Sequence, residues 1–211
     1  MTDSSIKHES DNNFMTLTGM GHVTVDPDIA VIRLGVQTTS DNLSTAQQEN
    51  ARLSQTLLQS LQQLGISNIK TFQYNIYKIY EFENNQRIDK GYSVRNILEI
   101  RMGNMNQVGM VIDTAVNNGA NIVDFIDFEA SDTNYYYLQA LNFAVMNAIQ
   151  KARSIGDNLG IATIPVPNHI TENSTTPIPY RNLAMREGAF TTPIGPGNIQ
   201  IEASVTIDFI Y

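Results

Sequence analysis

The chain has no cysteine among its 211 residues. It can therefore form no disulfide, run no thiolate chemistry and offer no sulfur ligand to a metal. Charge is also scarce, with Asp, Glu, Lys and Arg at 16% of the chain against about 25% in an average domain. Amide side chains take the place of charge, as in Asn84-Asn85-Gln86 and Asn117-Asn118. That surface is the opposite of the ion-pair networks of hyperthermophile proteins. Positive charge is the scarcer sign: 13 Lys and Arg face 21 Asp and Glu, for a net charge of -8 and a pI near 4.7. Basic residues this few and this scattered cannot supply the phosphate contacts of a nucleic-acid binder, so nucleic acid is excluded as a partner. No stretch approaches the roughly 20 apolar residues a helix needs to cross a bilayer. The opening MTDSSIKHESDNNF holds no apolar segment of a signal peptide. The expected location is cytoplasmic as the sequence stands, and periplasmic or secreted if a signal has been removed.

What is present is a regular alternation of strand and helix patterns. Hydrophobic residues, at 42%, suffice for a core in a chain of this size. Residues 1–13 are polar and aperiodic and read as a disordered arm, leaving 14–211 as one α+β domain. Met15, Leu17, Gly19, Gly21, Val23 and Val25 alternate at strand period, as do Ala30, Ile32, Leu34 and Val36. With the turn formers Asp26-Pro27-Asp28 between them, residues 14–38 predict an antiparallel hairpin. Ser40 or Asp41 then caps a helix whose stripe is Leu43, Ala46, Asn50, Leu53, Leu57, Leu61 and Leu64, closed by Gly65. Strands follow at 69–81 and 88–102 around a turn at 83–87. A helix is expected over 105–118, a strand over 121–130, and a long helix from Thr133 to Leu159 capped by Gly160. Residues 163–172 read as a further strand, and 173–197 as a long loop rich in Thr, Pro and Gly. Last comes the clearest strand: Ile199, Ile201, Ala203, Val205, Ile207 and Phe209 share one face. Six inward apolar residues at period two predict a central strand. The order is ββαββαβαββ, an α+β fold with a largely antiparallel sheet.

Candidate chemistry is thin. Gly19-Met20-Gly21 begins like a nucleotide-binding fingerprint, but Thr24 stands where the third glycine belongs, inside a strand. These glycines read instead as places where backbones pack closely. Gly91-Tyr92-Ser93-Val94-Arg95 lacks the closing glycine of a nucleophile elbow and lies within a strand. His8, His22 and His169 are isolated, with none at the helical spacing that a zinc site uses. The acidic group Asp124, Asp127, Glu129 and Asp132 is the remaining candidate for calcium binding or acid–base work. Period two puts Asp124 on the face opposite Asp127 and Glu129, so a solvated strand edge is the simpler reading. Of Tyr135, Tyr136 and Tyr137, only one can face the core, which leaves tyrosine for a partner. No catalytic, cofactor-binding or metal-binding residue is assigned.

Several stretches in order resemble one family. They are Gly19-x-Gly21, Val25-Asp26-Pro27-Asp28-x-Ala30, Gly35-Val36, Leu64-Gly65-Ile66 and Lys70-Thr71-x-x-Tyr74, followed by Tyr80 and Gly91-Tyr92. Further along stand Val108-Gly109-x-Val111-Ile112-Asp113, Gly119-Ala120, Ala148 with Lys151 and Ala152, and Pro196-Gly197. In this set the chain, over roughly residues 15–210, resembles the SIMPL domain family (DUF541), with YggE-like and 26 kDa periplasmic immunogenic proteins among its bacterial members. The resemblance implies a non-enzymatic protein without cofactor, forming homo-oligomers and linked to the cell envelope or to oxidative-stress defence. The alternative is a small-ligand-binding protein or enzyme that uses the acidic strand around Asp127 and Glu129.

Overall fold

The structure is a computed structural model that describes residues 13–84, 86–161, 165–173, 180–181 and 194–211. Most of the arm at 1–13 and most of the loop at 173–197 lie outside the described residues. The elements run β1 (Phe14–Val25), β2 (Ile29–Ser40), α1 (Leu43–Gln63), β3 (Ile69–Glu83), β4 (Gln86–Met102), α2 (Val108–Asn117), β5 (Ile122–Glu129), α3 (Thr133–Leu159), β6 (Val166–Glu172), β7 (Tyr180–Arg181) and β8 (Ile199–Ile210). Two antiparallel sheets with helices give the α+β fold and the element order read from the sequence, with the two-residue β7 added. Contacts divide the chain into two units: the first holds β1, α3, β6, β7 and β8, and the second holds β2 to β5 with α1 and α2.

In the first unit β8 is central, paired with β1 on one side and with β6 and β7 on the other. Its six alternating apolar residues, Ile199 to Phe209, are all buried. The buried face packs on α3 through an alanine row: Ala144, Ala148 and Ala152 meet Val205, Ile207 and Phe209. Alanine at every fourth position lets helix and sheet approach, and β1 completes the fit with glycine. A Cβ on Gly19 would lie 2.0 Å from the Ala144 carbonyl oxygen, and one on Gly21 would lie 2.1 Å from that of Ala140. The two glycines are close-packing positions. Asp132 caps α3 by accepting from the Tyr135 amide at 3.0 Å, and Gly160 ends it at φ 67°.

In the second unit the sheet order is β3-β4-β2-β5. Ala30, Ile32, Leu34 and Val36 of β2 and Leu98, Ile100 and Met102 of β4 face α1 and α2, where Leu57, Leu61, Val108, Val111 and Ala115 close the core. The cap of α1 is Asn42, whose side chain accepts from the Thr45 amide at 3.2 Å. Ser40, one of the two residues expected there, instead accepts from the Asn42 amide. Gly65 ends the helix at φ 81°, the left-handed conformation that glycine adopts without a Cβ penalty. Asn50 on the buried stripe donates to the carbonyls of Val36 and Val94, both at 3.0 Å, and so satisfies two strands at once.

One expectation fails here. β1 and β2 do not form a hairpin: β1 pairs with β8, while β2 pairs with β4 and β5. The turn formers Asp26-Pro27-Asp28 carry the chain from one sheet to the other. Alternation and turn chemistry are identical in the two cases, so local signals could not separate them.

Gly21→Ala forces α3 away from β1 and is expected to cost about 1–3 kcal/mol, the usual price of overpacking. Met20→Ala, at an exposed neighbour, should stay within about 0.5 kcal/mol. Urea denaturation of the two variants checks this, and equal midpoints would refute the close-packing role.

Candidate functional site

The acidic strand β5 is an edge of its sheet, as the sequence suggested. Its carboxylates are not simply solvated, however. β4 alternates, so that Val94, Leu98, Ile100 and Met102 face the helices while Arg95, Ile97, Glu99 and Arg101 face the other way. Glu99 is paired across the ladder with Arg33 of β2 and with Lys70 of β3, which brings a cation to it from each neighbouring strand. Arg33 donates to Glu99 Oε2 at 2.8 Å and Lys70 Nζ lies 2.9 Å from Oε1. Arg33 is further held between two rings, 3.7 Å from the centroid of Phe72 and 4.9 Å from that of Phe125. Such cation–π contacts add to the ion pair.

The other carboxylates continue this face. Arg101 meets Glu129 at 2.6 Å and Arg95 meets Asp124 at 2.5 Å. The second pair corrects the expected placement of Asp124. Register shifts on β5 between the partners of Arg33 and Leu34, so that Phe125 opposes Arg33 and Val123 opposes Leu34. The bulge leaves Asp124 as the extra residue and turns it toward Arg95, onto the face of Glu129. Asp127 is 7% exposed, a buried group where a solvated one was expected, and accepts from the Phe128 amide at 2.8 Å. Asp132 is not part of the group, because it caps α3.

This arrangement is better suited to holding strands than to moving protons. The Lys70 hydrogen bond is the main cause that lowers the Glu99 pKa below its ordinary 4.5; burial opposes it, and Arg33 lowers it further. A general base works best with a pKa near the working pH, and Glu99 is displaced in the other direction. Among the described residues no group of three or more His, Asp or Glu side chains is placed to hold a metal ion. His22 and His169 are exposed on β1 and β6, and His8 lies outside the described residues. Gly91 sits in β4 at φ 90°, where register shifts against β3, so Ser93 is a strand residue. Of the three tyrosines, Tyr137 is buried and donates to Glu172. Glu99 was not singled out from sequence. The available signal was a lone acid amid the apolar residues of Asn96-Ile97-Leu98-Glu99-Ile100, flanked by Arg95 and Arg101.

With the sheets and their glycine and Asp-Pro positions in place, the comparisons with known proteins define the class: the chain belongs to the SIMPL family, described as a protein of unknown function (DUF541), whose model matches residues 15–209. Its relatives include the 26 kDa periplasmic immunogenic protein of Brucella melitensis biotype 1, 26% identical over 209 residues, which span 92% of this chain and 83% of the relative. The same-named protein of Brucella abortus (strain S19) is equally similar, at 26%. The uncharacterized protein YggE of Escherichia coli (strain K12) is 21% identical over 173 residues, 80% of this chain and 70% of that protein. No helix among the described residues is long and apolar enough to cross a membrane.

Because Glu99 has a lowered folded pKa, its stabilisation is complete above the unfolded value near 4.5 and is lost as pH falls through the folded value. Glu99→Gln should therefore cost about 1.5–3 kcal/mol at pH 7, the range for hydrogen bonds to charged groups. The gap to wild type should narrow below pH 4.5. Urea titrations at neutral and acid pH measure it, and a gap independent of pH would count against the assignment.

Proposed function

We propose that the chain is a non-enzymatic binding and assembly module that forms homo-oligomers in the cell envelope. The observation that carries this reading is the set of apolar side chains exposed on β3: Tyr74, Ile76, Tyr80 and Phe82 share one face, with Phe82 at 72% exposure, and Tyr77 lies on the other. Single exposed apolar residues are ordinary, but several large ones along one strand face mark an interaction surface. The Brucella relatives, named as periplasmic proteins, support the envelope part of the reading. The engaged carboxylates around Glu99 support the non-enzymatic part, since two of them lie within 2.6 Å of an arginine nitrogen.

A second reading, a small-ligand site or enzyme at Asp127 and Glu129, draws on the burial of Asp127. Buried acids cluster at functional sites as well as in structural networks. A broad open depression of about 570 Å³ lies on α3, bordered by Phe143, Met146, Asn147, Gln150 and Arg153, and neither Asp127 nor Glu129 lines it. Ligand sites are instead concave and enclosing.

Size-exclusion chromatography with light scattering decides the first reading, and an oligomer at micromolar concentration is expected. A monomer at every concentration would refute it. Screens for esterase, phosphatase, glycosidase and peptidase turnover, with and without Zn²⁺, Mg²⁺ or Ca²⁺, are expected to be blank. A reproducible activity abolished by Asp127→Asn would establish the second reading in its place.

A further inference from the structure

β3 is the outermost strand of its sheet, with β4 as its one strand neighbour among the described residues. Over its 15 residues one row of main-chain N–H and C=O groups is left without a ladder partner. Natural edges are usually kept short, given proline or studded with charge. β3 has no proline, and five of its twelve exposed residues are aromatic against four charged. Its hairpin also outruns the sheet: β2 accompanies β4 only as far as Tyr92, while β3 pairs on to Gln86. A two-stranded ribbon alone is marginal in water.

The charges on this edge say what covers it. β3 carries Lys70 near its start, Lys78 past its middle, and Glu81 and Glu83 at its end. They cancel, in a chain whose net charge is -8. Lys70, Lys78 and Glu81 also meet Glu99, Asp89 and Lys90 of β4, in pairs open enough to be shared with a second strand. A second copy of β3 laid antiparallel brings the basic start of each strand to the acidic end of the other, whereas a parallel copy sets like against like. Cross-strand opposite charges stabilise a pair and like charges destabilise it.

Resting on the homo-oligomer reading, the geometry points to a two-fold interface in which β3 pairs antiparallel with β3 of a second copy, about an axis near Ile76. From Gln73 to Lys78 the strand runs in unbroken register against β4, and Phe72 is the bulged residue before it. Counting outward from Ile76 with Phe72 left as a bulge sets Tyr74 opposite Lys78 of the second copy, Thr71 opposite Tyr80 and Lys70 opposite Glu81. Each of these pairs shares a face of the pleat, as antiparallel partners must. The contact is isologous and closes on itself, so it gives a two-fold pair and not a filament.

A chain without cysteine makes the test direct. Ile76→Cys, on the axis, should oxidise to a covalent dimer in most of the protein. Thr71→Cys alone and Tyr80→Cys alone should not, because each lies far from its own copy, yet a mixture of the two should cross-link to each other. Should Ile76→Cys fold poorly, mixed Asn75→Cys and Tyr77→Cys carry the same reading. Light scattering on the reduced variants separates the two levels of the proposal. A monomer would overturn the assembly reading itself. An oligomer in which Ile76→Cys stays uncoupled, or in which Thr71→Cys couples to itself, would overturn this interface alone.

Discussion

The chain changes sheets twice within a few residues of one point, and the clamp at that point is the constraint on which the topology depends. Asp28, just after β1, accepts from both the amide and the hydroxyl of Ser131, just after β5, while the Asp28 amide donates to the Glu129 carbonyl at 3.0 Å. The Ser131 hydroxyl is the main cause that lowers the Asp28 pKa. β2 is thereby set beside β5 from Ile29 and Glu129 onward. Once β2 lies between β4 and β5, both of its ladder edges are taken. β1 then has to find its partner elsewhere, and the partner it finds is β8, from the far end of the chain.

That constraint explains which parts of the fold were legible in the sequence. Period and caps could be read directly: the helix of 27 residues ending at Gly160, the stripe of α1 closed by Gly65, and the unbroken alternation of β8. These are local properties, because a single helix or strand face determines its own pattern. Pairing is not local. Met15 to Val25 and Ile29 to Val36 would look the same as two arms of a hairpin or as members of two sheets, and Asp26-Pro27-Asp28 suits either course. The partner of β1 lies more than 170 residues away in sequence, beyond the reach of any turn motif.

The candidate site shows the same division. That β5 is an edge and carries acids followed from its composition, but the face on which each acid lies did not. Strict period two assigns Asp124 to the wrong side, since one bulge residue reverses the parity of everything beyond it. Glu99 escaped notice for a related reason. Charges on one strand are read singly from sequence, while its two cations come from strands on either side. A buried acid that meets a cation on each flank pins three strands in register, and a one-residue slip would leave it unpaired at a cost of several kcal/mol. Register specification is the use of buried ion pairs with the firmest support. That use accounts for an acid 4% exposed without appeal to chemistry.

Register held this firmly also has a consequence at the opposite edge. With β4 fixed against β2 by Arg33 and Glu99, and β3 fixed against β4 by Lys70, the side chains of β3 cannot change face by slipping. Its exposed aromatic residues are therefore presented in one fixed pattern, with Tyr80 and Phe82 past the point where β2 ends at Ser40 opposite Tyr92. The projecting ribbon is braced internally, with Lys78 paired to Asp89, Glu81 paired to Lys90, and Arg87 over the Tyr80 ring at 4.2 Å. Exposed pairs of this kind contribute little to stability, about 0–1 kcal/mol each. The edge carries lysines and a bulge at Phe72, two of the features by which soluble proteins keep strands apart, but it is long, without proline and without net charge. Under the proposed interface the remaining protection comes from the pairing itself: an edge occupied by its own copy offers no free ladder to anything else.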